Sequence, residues 1–190
     1  LVEISPNIRR LPKEVHAIVI SRIKISLLGN IIVILWLQFI ALNLHKDIII
    51  IGGGAAGFFA AINIAEKSTD LSVAILERGK EGLQKVKISG GGRCNVTHAE
   101  FVPSELVKNY PRGEKELLGP FHSFMTGDTI SWFQERGVEL KIEEDGRMFP
   151  VSNSSQTIID CFIKESNKHG VEVCYNQSVK SFELVEVFIK

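Results

Sequence analysis

Lys46-Asp-Ile-Ile-Ile-Ile-Gly-Gly-Gly-Ala-Ala-Gly57 is an apolar run that enters a Gly-x-Gly-x-x-Gly turn and continues into an Ala-rich segment. Ile48 to Ile51 have the β-branched composition of a short strand buried on both faces of a parallel sheet. The residues after them, Ala55 to Lys67, predict a helix. Each glycine has a physical task at such a junction. Gly52 permits the tight turn, Gly54 lacks a Cβ and lets a pyrophosphate approach the backbone, and Gly57 lets the helix lie close on the strand. The N–H groups and dipole of the helix N-terminus favour negative charge there, so the stretch predicts a dinucleotide-binding site.

The context strengthens this expectation. After the polar turn Ser68-Thr69-Asp70, Leu71 to Leu76 predict a second strand that ends in Glu77. A carboxylate at that place can accept hydrogen bonds from both hydroxyls of an adenosine ribose and would repel a 2′-phosphate, which favours FAD or NAD over NADP. The alternative is a tight strand-to-helix turn followed by a surface glutamate.

Composition narrows the class. At 190 residues and 45% hydrophobic content, the chain can bury one sizeable core. Its 22 basic residues balance 22 acidic ones, which excludes the basic excess expected of a nucleic-acid partner. Cys94, Cys161 and Cys174 are widely spaced and form no CxxC pair. The five histidines stand at no metal-ligand spacing, so no disulfide framework or metal site is expected. A reducing, cytoplasmic compartment fits this pattern.

Residues 1–44 form a leader. Arg9, Arg10, Lys13, Arg22 and Lys24 precede Ile25 to Leu44, an uncharged stretch of about 20 residues, long enough to span a bilayer. Only His45, Lys46 and Asp47 separate it from the expected central strand, and methionine occurs only at 125 and 148. A non-native extension with a natural start near His45 is therefore the preferred reading. A membrane anchor on the cytoplasmic face and extra soluble elements remain as alternatives.

A second motif follows Glu77. Lys87-Ile-Ser-Gly-Gly-Gly-Arg-Cys-Asn95 places three glycines before Arg93 and Asn95, a backbone able to lie flat against a ligand with fixed donors beside it. Together with the Gly52–Gly57 turn and the Ile75-Leu-Glu-Arg78 strand end, this motif resembles the bacterial NAD(P)/FAD-dependent flavoprotein family that includes aminoacetone-oxidase-like and bile-acid-reductase-like members. The similarity runs on through Phe121, Phe124, Asp128, Trp132-Phe133, Gly137-Val138 and Glu144 to Ser152, and covers about Asp47 to Lys190.

The resemblance implies the N-terminal, FAD-binding half of an oxidoreductase. By it, Gly52, Gly54, Ala55, Ala56 and Gly57 hold the pyrophosphate, and Glu77 with Arg78 the adenosine ribose. Lys87, Ser89, Gly90, Gly91, Gly92, Arg93 and Asn95 lie along the ribityl and flavin side, while His98 departs from the asparagine of many relatives. FAD is the implied cofactor, NAD(P)H the candidate reductant and a small molecule the substrate. No general acid or base is designated, because a flavin carries the hydride chemistry itself. Simpler roles exist for Arg93 as a solvated loop charge, Cys94 as a packing residue and Lys87 as the flank of a strand.

The remaining pattern is scaffold. Gly127 to Gly137 predict a helix with Ile130 and Phe133 inward. Val138 to Ile142 and Arg147 to Phe149 predict a hairpin. Asn153 with Gln156 predicts the cap of a helix burying Ile158, Ile159, Phe162 and Ile163 and ending at Gly170. Val171 to Tyr175 and Phe182 to Ile189 predict two more strands. The expected fold class is α/β: a Rossmann-like FAD-binding domain of glutathione-reductase type over residues 45–190, truncated, with a small hairpin or meander. The alternative function is a non-catalytic, truncated nucleotide-binding module, attached to a membrane only if residues 25–44 anchor it.

Overall fold

The computed structural model describes residues 46–182. The leader and the strand expected at 182–189, apart from Phe182, lie outside the described residues. Backbone contacts divide the chain into two compact units, one carrying residues 46–94 and 152–182, the other residues 95–151.

The first unit is a parallel α/β layer. Strand β1 (Ile48–Ile51) leads through the glycine turn into helix α1 (Ala55–Lys67). Strand β2 (Val73–Leu76) follows, then the short helix α2 (Gln84–Ile88) and a 3-10 turn (Ser89–Gly92). After the second unit the chain returns as helix α6 (Ser155–Lys168) and strand β6 (Glu172–Cys174). The strand order is β1-β2-β6, all parallel, with Ile48 beside Val73 and Ala74 beside Glu172. Near-continuous apolar strands suit this layer: Ile49, Ile50, Val73, Ala74 and Ile75 are all buried. The α1 residues Phe58, Ala61 and Ile62 and the α6 residues Ile158 and Phe162 complete the core, with the Phe58 and Phe162 rings 6.1 Å apart.

The second unit is a small antiparallel sheet with helices. Strand β3 (Thr97–His98) pairs with β5 (Arg147–Pro150), and β5 pairs with β4 (Leu140–Ile142), giving the order β3-β5-β4. Between β3 and β4 come α3 (Pro103–Leu106), α4 (Glu114–Ser123) and α5 (Thr126–Gln134). Trp132, Phe133, Met148 and Phe149 are buried in this unit, as expected of packing residues. The α5 helix stops at Gly137, whose φ is +78° and whose neighbour Val138 donates back to the Phe133 carbonyl.

Several local expectations are corrected. Strand β2 starts at Val73 because Ser72 is engaged by Asp47, whose carboxylate accepts from both its N–H and its hydroxyl. The cap of α6 is Ser154, whose hydroxyl accepts from the Gln156 N–H, while Asn153 takes a left-handed turn at φ +55°. Ile163 faces outward on α6, and Ile130 is only half-buried. Lys87 flanks no strand and lies within α2. Helices α3 and α4 and strand β3 carry no clear sequence signal: α3 spans four residues, β3 two, and α4 buries no residue and contains Pro120.

Candidate functional site

The carboxyl ends of β1, β2 and β6 converge at one place, where an open α/β sheet offers a crevice. Gly52 N–H donates to the Leu76 carbonyl at 2.8 Å, and Glu77 N–H to the Cys174 carbonyl at 2.8 Å. Gly52 has φ +107°, a conformation that favours glycine, so the turn requires it. A Cβ on Gly57 would overlap the Gly52 carbonyl oxygen, and this close approach of helix to strand admits only glycine.

Gly54 caps α1 with its backbone alone. No side chain caps this end and no acidic residue occupies the first turn. Gly54, Ala55 and Ala56 are exposed, whereas Gly57 and Phe58 are buried. Space above Gly54 is open, since a Cβ built there meets nothing within 4 Å. The helix end is thus a set of backbone N–H groups without side-chain competitors, the arrangement that receives a phosphate.

Glu77 ties this cradle together. Its Oε2 accepts from Gly53 N–H at 2.7 Å and its Oε1 accepts from Gly79 N–H at 2.7 Å. Each carboxylate oxygen keeps a second lone pair for a ligand hydroxyl. Arg78 beside it is exposed. Gly53 faces Glu77 so closely that a Cβ there would lie 3.1 Å from the glutamate Cβ. On its other side the Gly53 carbonyl accepts from Leu83 N–H at 2.7 Å, and a Cβ on Gly82 would sit 2.9 Å from that carbonyl. Sequence reading missed Gly53, Gly79 and Gly82; the signal for them is the Gly79-x-x-Gly82 spacing directly after the strand-end carboxylate.

The second motif forms a compact left-handed turn. Gly90, Gly91 and Gly92 have φ of +56°, +69° and +85°, and Cys94 follows at +62° with its N–H on the Ser89 carbonyl. Such successive N–H groups make a concave donor surface. Ser89 Oγ donates to the Val86 carbonyl, and Arg93 is half-buried. Burial pushes the Cys94 thiol up, with the Ser89 hydrogen bond opposing, which keeps it a neutral packing group. Lys87 lines a cavity of about 310 Å³ with Lys80, Leu83, Ile159 and Tyr175.

Asn95 belongs to the other unit. Its amide nitrogen donates to the Thr97 and Met148 carbonyls at 2.9 and 3.2 Å, and it lines a cavity of about 540 Å³. The described residues hold no group of three or more His, Cys, Asp or Glu able to bind a metal ion. Among the described residues no helix is long and apolar enough to cross a membrane.

Known proteins share this pattern. The profile of the HI0933-like protein Rossmann domain matches residues 46–188. The ribosomal RNA dihydrouridine synthase of Haemophilus influenzae is 30% identical over 142 residues, covering 75% of this chain and 34% of that protein. The 3-dehydro-bile acid delta(4,6)-reductase of Clostridium scindens is 29% identical over 135 residues, 71% of this chain and 32% of that protein. The crystal structure of Thermovibrio ammonificans THI4 aligns with 76% of this chain and 43% of that one, at a TM-score of 0.48 and 16% identity. The chain spans about a third of the length of the curated relatives it matches. It belongs to the HI0933-like family of FAD-dependent flavoproteins and carries its Rossmann domain.

Proposed function

We propose that this chain supplies the FAD-binding part of an oxidoreductase that moves a hydride through bound flavin, with NAD(P)H as reductant. One observation carries the reading: the α1 N-terminus, capped by glycine backbone alone, opens beside a Glu77 carboxylate whose two oxygens each retain an accepting lone pair. These residues fit FAD. Gly52 and Gly57 shape the turn, Gly54, Ala55 and Ala56 present N–H groups to the pyrophosphate, and Glu77 with Arg78 beside it receives the adenosine ribose. Lys87, Ser89, Gly90, Gly91, Gly92 and Arg93 are assigned to the ribityl and flavin side.

Bound flavin would supply hydride acceptance and donation. The chain's own task is to bind and orient it: backbone N–H groups neutralise the diphosphate without mobile side chains, and Glu77 disfavours a 2′-phosphate by charge. Two relatives bear the names of a reductase and a dihydrouridine synthase, both consistent with transfer of hydrogen to a carbon–carbon double bond in this chain's substrate.

The test is expression at the full length of the curated relatives, followed by purification and visible spectroscopy. The expected result is a yellow protein with the two-band absorption of oxidised FAD, bleached under anaerobic NADH or NADPH. A folded, colourless protein that takes up no flavin on reconstitution would overturn the assignment.

A further inference from the structure

Leu83 is a buried leucine in the left-handed region, with φ +59°, ψ +19° and 2% of its surface exposed. Backbone of this kind favours glycine, and a leucine held in it stores strain that its surroundings must sustain. Two backbone bonds depend on that conformation. The Leu83 N–H donates to the Gly53 carbonyl at 2.7 Å, and the Leu83 carbonyl accepts from the Lys87 N–H at 3.0 Å. One residue thus reaches back to the first glycine turn and forward into helix α2.

The bond to Gly53 acts one residue further on. A trans peptide unit is planar, so its C=O and N–H point in opposite directions. With the Gly53 carbonyl turned onto Leu83, the Gly54 N–H of the same unit faces the other way. Gly54 is exposed, and among the described residues its N–H has no acceptor. It is one of the orphan donors at the start of α1.

The preceding peptide unit is held as well, since the Gly53 N–H donates to Glu77 Oε2 at 2.7 Å. Glycine imposes no preference of its own on φ and ψ, so these two bonds fix the plane from which the helix end begins. Gly82 presses on the same place. A Cβ there would lie 2.9 Å from the Gly53 carbonyl oxygen and 3.1 Å from the Phe58 ring. All of these groups belong to the parallel unit.

We propose that Leu83 is a positioning residue for the diphosphate of the bound dinucleotide: its left-handed conformation holds the Gly53 carbonyl and so aims the Gly54 N–H at the diphosphate oxygens. The proposal deepens the flavin reading and rests on it. A donor fixed before the anion arrives loses no freedom on binding, and this gain offsets the strain at Leu83.

Titration calorimetry of the full-length protein, stripped of flavin, with FAD, ADP and adenosine provides the test. Leu83→Val puts a β-branched side chain where the left-handed region is most costly, and is expected to weaken FAD and ADP by about tenfold or more. Adenosine, which lacks the diphosphate, is expected to bind as in the parent. Leu83→Gly reaches the same φ without strain and is expected to keep FAD and ADP within about threefold of the parent, while its unfolding midpoint in denaturant falls with the lost side chain. Gly82→Ala pushes on the Gly53 carbonyl from a second direction and is expected to weaken FAD and ADP too, which keeps the test valid if Leu83→Val fails to fold.

A packing role for Leu83 predicts that Leu83→Gly, the larger truncation, harms binding at least as much as Leu83→Val, and that result would overturn the proposal. So would an equal loss of adenosine affinity, or unchanged FAD and ADP affinities in Leu83→Val or, where that variant does not fold, in Gly82→Ala. A parent that binds ADP but not FAD removes the flavin reading, and the ADP series still decides on Leu83. A parent that binds neither overturns both.

Discussion

The parallel unit of residues 46–94 and 152–182 and the antiparallel unit of residues 95–151 build their candidate surfaces from different material. In the first, the surface is backbone: N–H groups of the Gly54 helix end, held by the close approach at Gly57, and the run at Gly90 to Gly92, whose positive φ favours glycine. In the second it is side chains, the Tyr110, Phe121 and Phe124 rings with Asn95 and Thr129, which line one cavity beside strand β3. A backbone site tolerates no added atom at its close approaches. A side-chain site tolerates graded change, because each ring or hydroxyl contributes separately.

The strongest way to break this contrast is Gly57→Val. The added side chain would overlap the Gly52 carbonyl oxygen, and a loss of about 3 kcal/mol or more is expected, with flavin retention lost too. Chemical denaturation and the visible spectrum measure both. A stable yellow variant would show that the turn relaxes as readily as a side-chain pocket.

Glu77→Gln should cost about 1–3 kcal/mol in unfolding free energy. It removes the charge, and it leaves either Gly53 N–H or Gly79 N–H facing an amide donor. Unfolding with and without added FAD separates the structural share from the ribose contact. An effect confined to the FAD-loaded protein would mean that Glu77 serves the ligand alone.

In the antiparallel unit, Gly146→Ala sharpens the comparison. Gly146 has φ +80°, a Cβ there would strike the His98 ring, and the ring's Nδ1 lies 2.8 Å from the Gly146 carbonyl. About 1–2 kcal/mol of destabilisation is expected, together with a shifted His98 resonance in NMR and unchanged FAD content. Loss of FAD in this variant would show that the two surfaces are not separable.

The smallest effect is at the sheet margin. Lys46 Nζ lies 2.7 Å from Glu172 Oε2, and this hydrogen bond lowers the Glu172 pKa below the usual carboxylate value. A depressed carboxylate contributes stability that is present above its unfolded pKa and is lost as pH falls through its folded one. The pair is half-exposed, so Lys46→Met should cost less than about 1 kcal/mol near neutrality, and the difference from the parent should vanish in acid. A difference that persists at low pH would assign the effect to packing of the lysine stem.

Much of the parallel unit is legible in the chain's local pattern. Strand β1 and helix α1 fall at the expected residues, because a β-branched run, a glycine turn and an Ala-rich segment each carry a local preference that agrees with the fold. Gly52 and Gly57 take their conformational tasks from spacing alone. The second glycine motif is readable as a ligand-facing backbone, yet its attachment to the first through Leu83 N–H and Gly53 O is not, since Leu83 adopts φ +59° without a residue type that announces it. The hairpin around Gly146 is legible from its turn. Its partner β3 is not, for two residues have no period.

The sequence by itself determined the fold class, the cofactor family and the glycine requirement at Gly52 and Gly57, because these depend on short-range backbone geometry and on residues adjacent in the chain. The tertiary structure alone decided which distant groups meet. It turned Glu77 Oε2 onto the Gly53 N–H, joined the Leu83 N–H to the Gly53 carbonyl, and gathered residues from 95 to 129 around one cavity. Such meetings are set by packing between segments far apart in the chain, and no local preference in the sequence encodes them.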